Sequence, residues 1–237
     1  MRDSFYKLGE EEPKEVKFDV EQRLGQGGYG TVSKISAGVG SKIRGFALKE
    51  YGGQHGTREA WAAFSAYNAL KKAGLKVLPT FRISEDRKKV LMTLHDPEKV
   101  YTVDGKPRYK GLDLVEPPEE DKVHEIQNFD ALIDNFFKQS VLAAEAGIGF
   151  ELDDIFHFTI DRETKTKVDF FVQDLDLIAL PMHTMSAAEK HEILKKNLNS
   201  SKSSVDFFLA THVKGDKREE YIDIVNRKYQ KLLSHKT

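Results

Sequence analysis

The chain has 237 residues, an apolar fraction of 39%, aromatics at 10% and a formal net charge of −1. This length fits one domain or two small lobes with a real core, and the balanced charge excludes a global pull toward nucleic acid or anionic membrane. Cysteine is absent, which excludes disulfides, thiolate catalysis and cysteine-based zinc sites, and no apolar run is long enough to span a bilayer or form a signal sequence.

Residues 1–15 read as a charged, solvated lead-in, helical at best. From Val16 the pattern alternates as a strand should (Val16, Phe18, Val20), breaks at a glycine cluster, and resumes over 31–36. Turn chemistry over 38–45 then leads into a third strand, Gly45 to Tyr51. A helix over 57–72 follows, with Trp61, Phe64, Ala69 and Leu70 at helical spacing and Gly74 as its stop. Two more strands, 78–84 and 89–94, complete a first lobe over 16–95 with five antiparallel strands and one helix. The Pro-, Gly- and charge-rich stretch 96–121 reads as a linker or insertion with a hairpin around Val103-Asp-Gly-Lys.

The second lobe, 122–237, opens on a long amphipathic helix over 126–146, whose apolar face includes Phe129, Leu132, Ile133, Phe136 and Phe137. Strands over 155–160 and 168–172 flank a polar turn. Ser186-Ala-Ala-Glu189 is a capping box opening a helix that should stop before Asn199-Ser-Ser-Lys-Ser-Ser. Two closing helices are expected over 205–212 and 217–233. The fold class is α+β.

Gly25-Gln-Gly27-Gly28-Tyr-Gly30-Thr-Val32 matches G-x-G-x-x-G-x-V at every position. In a dinucleotide fold such glycines open a helix whose N-terminus binds pyrophosphate. Here β-branched, alternating residues follow, so the glycines belong to a hairpin whose backbone N–H groups can cover phosphates without a Cβ in the way. Ala47-Leu-Lys49 on the third strand offers a lysine to the phosphates. Glu59, near the start of the next helix, is either its ion-pair partner or an acid favoured by the helix macrodipole. Eight histidines are scattered without zinc-binding spacing.

This order of glycine loop, Ala-x-Lys, glutamate helix, two strands, linker, long helix and acidic motifs resembles the protein-kinase superfamily. The resemblance implies a minimal bilobal fold and a phosphotransferase using ATP and Mg²⁺, with Gly25, Gly27, Gly28, Gly30, Val32, Ala47, Lys49 and Glu59 at the nucleotide. It also implies that Asp153 or Asp154 is the catalytic base beside Lys49, the sequence not choosing between the two acids. Asp174-Leu-Asp176 stands where the family's metal motif should, which makes Asp174 and Asp176 Mg²⁺ ligands. His157 falls at the position of a further metal ligand, although Mg²⁺ prefers oxygen. The His and Arg of the family's catalytic loop are replaced by Phe150 and Glu151, or displaced by a slip of one, and no Ala-Pro-Glu motif follows Asp176. Activity without loop phosphorylation is the consequence.

In size and layout the chain is similar to Hop-type effector kinases delivered by bacterial type III secretion, whose known target is a eukaryotic ATP-dependent heat-shock chaperone. That resemblance implies a monomeric serine/threonine protein kinase acting on a host protein, cytoplasmic or secreted into a host cytosol, with no nucleic-acid or membrane partner. The lack of cysteine suits a chain that unfolds for secretion. Two alternatives stand beside it. One is a pseudokinase that binds nucleotide or a partner without transfer; the other is a small-molecule kinase of the antibiotic- or choline-phosphorylating kind.

Overall fold

The computed structural model describes residues 1–7, 9–27, 30–39, 42–95, 100–104, 109–110, 113–114, 117–150, 155–172, 175, 178, 180–181 and 184–234. The chain divides into two compact units, Met1–Lys71 with Val77–Asp96, and Lys72–Lys76 with Pro97–Thr237.

In the first unit, β1 (Arg2–Tyr6), β2 (Lys14–Gly27), β3 (Gly30–Val39), β4 (Lys42–Tyr51), β5 (Phe81–Ser84) and β6 (Lys89–Thr93) form a closed antiparallel barrel in the order β1-β2-β3-β4-β6-β5. The period of two sends Phe5, Val16, Phe18, Ile35, Ala37, Phe46, Leu48 and Leu91 into one buried cluster. Helix α1 (Gly56–Lys72) buries Ala60, Ala63, Phe64, Ala66, Tyr67 and Leu70. Tyr67 stacks on Phe81 with centroids 4.8 Å apart, and its hydroxyl donates to the Leu78 carbonyl at 3.0 Å.

The expected five-stranded lobe with a solvated lead-in over 1–15 is therefore corrected to six strands. β1 pairs with β2 (Asp3 opposite Val16) and with β5 (Phe5 opposite Ser84), which removes both open edges. The lead-in disguised itself because β1 buries a single apolar side chain, Phe5, and owes its place to strand pairing with β2 and β5. Lys89 on β6 adds a 2.6 Å hydrogen bond to Asp3, and that bond raises the lysine's pKa above its ordinary value.

In the second unit, β7 (Val100–Asp104), β10 (Phe156–Asp161) and β11 (Val168–Val172) form an antiparallel sheet in the order β11-β10-β7. The linker thus supplies a strand. The turn of the hairpin expected around Val103-Asp-Gly-Lys lies outside the described residues; β7 pairs with β10, and β8 (Tyr109–Lys110) pairs with β9 (Asp113–Leu114). Helix α2 (Phe129–Glu145) lays Phe136 onto Phe156, Phe158 and Phe170, with ring centroids 4.3, 5.4 and 4.8 Å away. Such aromatic packing supplies much of the burial energy of a small unit.

Helix α3 runs without a break over Ala187–His212, where a stop before Asn199 and a separate helix over 205–212 were expected. The serines are helical because this run has partners within the unit. The Asn197 amide donates to the Ile148 carbonyl at 2.9 Å, and its oxygen accepts from the Phe150 N–H at 2.7 Å. Ser201 lies 2.6 Å from Ser140 of α2, hydroxyl to hydroxyl. Satisfied in this way, buried polar side chains no longer compete for the helix backbone. Helix α4 (Gly215–Ser234) stacks Tyr221 on Phe129 at 4.0 Å, and the Tyr221 hydroxyl accepts from the Ile126 N–H at 2.8 Å. Burial pushes that phenol's pKa up. Among the described residues no helix is long and apolar enough to cross a membrane.

The capping box at the start of α3 is formed in full: the Glu189 N–H donates to Ser186 Oγ at 3.3 Å, and the Ser186 N–H donates to Glu189 Oε2 at 2.7 Å. Ser186→Ala is expected to lower stability by about 1 kcal/mol in a urea unfolding curve, the ordinary worth of an N-cap.

Candidate functional site

In the glycine segment β2 ends at Gly27 and β3 begins at Gly30. Gly25 faces Val32, Gln26 faces Thr31, and Gly27 faces Gly30, so β2 and β3 close a tight hairpin and no helix N-terminus follows the glycines. That geometry excludes the dinucleotide-fold placement, in which the phosphates sit on a helix dipole. Register shifts between Val20 and Gln22 and between Arg23 and Gly25 bend β2 just before the hairpin end.

The glycines differ in what surrounds them. A Cβ on Gly30 would lie 2.0 Å from the Glu50 carbonyl oxygen and 2.9 Å from its carbon, so this position is glycine because β4 backbone presses against it. A Cβ on Gly25 would meet nothing within 4 Å. The open side of the hairpin is therefore at Gly25, where a backbone approach by a ligand is sterically free.

Lys49 lies on β4 opposite Val32 of β3 and Val90 of β6. By the period of two, Ala47, Lys49 and Tyr51 share one face of β4, away from the barrel interior occupied by Phe46 and Leu48. Ala47 and Tyr51 are buried and Lys49 half-buried, with its ammonium 4.6 Å from the Tyr51 ring centroid. Tyr51 was missed in the sequence. Its signal was the same alternation that singled out Ala47 and Lys49.

Glu59 sits half-buried in the first turn of α1. A Cβ on Gly56 would lie 2.7 Å from the Tyr51 carbonyl oxygen, so the helix starts packed closely against the end of β4. The barrel unit thus brings together Gly25, Gly27, Gly30, Val32, Ala47 and Lys49 on β2–β4, and starts the Glu59 helix where β4 ends.

In the second unit His157 is buried in β10, its ring stacked on Phe171 with centroids 5.7 Å apart. Gly28, Asp153, Asp154, Asp174 and Asp176 lie outside the described residues. Among the described residues no group of three His, Asp or Glu side chains could hold a metal. As donors, the carboxylates of Asp174 and Asp176 have the chemistry Mg²⁺ takes, whereas the His157 imidazole does not. The open glycine hairpin beside a half-buried lysine fits a polyphosphate.

No protein-family model matches the chain. No curated protein matches it either. Among solved structures, a crystal structure of a kinase domain is similar at 10% identity and a TM-score of 0.47, covering 80% of this chain. The chain spans 63% of that domain's own length.

Proposed function

We propose that this chain is an ATP- and Mg²⁺-dependent phosphotransferase that passes a γ-phosphoryl group to a serine or threonine hydroxyl of a protein. One observation carries the reading: an open glycine hairpin is paired to a strand whose Lys49 shares a face with Val32, and the helix bearing Glu59 starts at that strand's end. Each part has a task. Hairpin N–H groups cover the phosphates, and the Lys49 ammonium donates to phosphate oxygens while Glu59 holds that ammonium in place. Asp153 or Asp154 accepts the acceptor hydroxyl's proton, and Asp174 with Asp176 holds Mg²⁺, which neutralises charge on the transferring group. Little covalent work falls to the protein; positioning and charge stabilisation supply most of the rate.

The acceptor we propose is a host protein met by a secreted effector, with a heat-shock chaperone as first candidate, on the resemblance in size and layout to Hop-type effector kinases. The test is incubation of the purified chain with a eukaryotic lysate, Mg²⁺ and γ-labelled ATP, with labelled products identified by mass. The expected result is a labelled protein band. ATP binding without transfer would replace the reading with a pseudokinase, and label only in metabolites would replace it with a small-molecule kinase.

A further inference from the structure

Residues 148–150, between α2 and β10, lie outside the helices and strands, so their backbone groups have no ladder to join. Side chains of α3 take three of them. The Asn197 amide nitrogen donates to the Ile148 carbonyl at 2.9 Å, its oxygen accepts from the Phe150 N–H at 2.7 Å, and the Ser200 hydroxyl donates to the Phe150 carbonyl at 3.3 Å. Asn197 and Ser200 stand three residues apart, on one face of the helix. The N–H and the carbonyl of Phe150 are thus both held from α3.

Packing alone does not call for an amide at this position. The buried neighbours Leu194 and Leu198 are apolar, whereas Asn197 is 0% exposed and asparagine is mostly a surface residue. Burying it costs free energy that only its hydrogen bonds offset. The same nitrogen also donates to the Ser140 carbonyl of α2 at 3.4 Å, so both of its N–H groups are used. The Phe150 ring is buried too and meets the Phe156 ring, at the start of β10, edge-on at 5.4 Å. The chain on either side of Asp153 and Asp154 is therefore anchored, at Phe150 to α3 and at Phe156 to the β10–β11 ladder.

We propose that Asn197 and Ser200 are positioning residues for phosphoryl transfer, holding the Phe150 backbone and so fixing the point from which the chain runs on to the proposed base, Asp153 or Asp154. The inference rests on the phosphotransferase reading. A segment held by packing alone can slide, but one whose amide and carbonyl are both bonded to the same long helix moves only by breaking both bonds. Such fixing matters to rate, because displacing a reacting group by about 1 Å costs about 100-fold.

The unmodified chain, Asn197→Leu, Ser200→Ala and Ser201→Ala are compared by single-turnover transfer from Mg·ATP, by ATP affinity and by urea unfolding. Ser201 is the control: it lies buried on the same helix and bonds the Ser140 hydroxyl of α2 instead of the 148–150 backbone. Asn197→Leu should lower transfer about 100-fold and Ser200→Ala about tenfold, both with ATP affinity unchanged. Ser201→Ala should lower the unfolding midpoint and transfer at the original rate. A purely structural role would make the rate follow stability across the three variants, and that result would overturn the proposal. So would an Asn197→Leu or Ser200→Ala chain that transfers at the original rate. Ser200 is only partly buried, so its variant decides the matter even if Asn197→Leu does not fold. An unmodified chain that transfers nothing would overturn the phosphotransferase reading itself, and this inference with it.

Discussion

Gly30→Ala is expected to destabilise the barrel unit by about 3 kcal/mol or more, the upper range for overpacking at a site that cannot yield. The added methyl carbon would stand 2.0 Å from the Glu50 carbonyl oxygen. That obstacle is backbone, so no rotamer change relieves it. Nor can β4 retreat freely: Glu50 is paired to Thr31 on one side and Lys89 on the other, so any withdrawal breaks ladder bonds in both directions. Gly25→Ala is the matched control. Its methyl would meet nothing within 4 Å, and stability should stay within about 0.5 kcal/mol, as for other unencumbered surface substitutions. Urea midpoints of the two variants measure the contrast. If the hairpin covers phosphates, Gly25→Ala should nonetheless bind ATP more weakly, which would separate the glycine needed for ligand approach from the one needed for strand packing.

Lys49→Ala is expected to lower phosphoryl transfer by about 10²–10³-fold, the usual loss when one preorganised donor to a developing or transferring charge is removed. Its fold should survive. The side chain lies half-buried on the outer face of β4, and the loss includes a cation–π contact to Tyr51 at 4.6 Å, worth about 0.5–1 kcal/mol. A circular dichroism spectrum and unfolding midpoint close to those of the unmodified chain, alongside the collapsed rate, would identify the lysine as a functional group and not a structural one.

The parts of this molecule that could be read from sequence are those whose signals are local. Alternation over Val16–Val20 and over Gly45–Tyr51 predicted β2 and β4, and the Ser186–Glu189 box predicted where α3 starts. Signals that depend on partners far along the chain stayed hidden. β1 has one buried apolar side chain and owes its place to pairing with β2 and β5. β7 looked like a linker because its pairing partner, β10, comes long after it in sequence. The run from Asn199 looked like a break in a helix, and what keeps it helical, the contacts of Asn197 with Ile148 and Phe150 and of Ser201 with Ser140, lies far along the chain.

The candidate site divides along the same line. The glycine fingerprint and Ala47–Lys49 were legible because strand periodicity fixes which face a residue occupies. The reason Gly30 must be glycine was not, since it lies in the backbone of a neighbouring strand. The exposure of Trp61, 45%, was invisible too, since nothing at helical spacing distinguishes an exposed tryptophan from a buried one.

The central claim is that the Lys49 ammonium and the Asp174 carboxylate serve one triphosphate. Single-turnover transfer from Mg·ATP, measured for the unmodified chain, Lys49→Ala, Asp174→Ala and the double variant, tests it most directly. Groups acting as a unit lose function together, so each single change should cost at least about 100-fold and the double change little more than the worse single. Losses that multiply, or a single variant that transfers phosphate at the original rate, would contradict it.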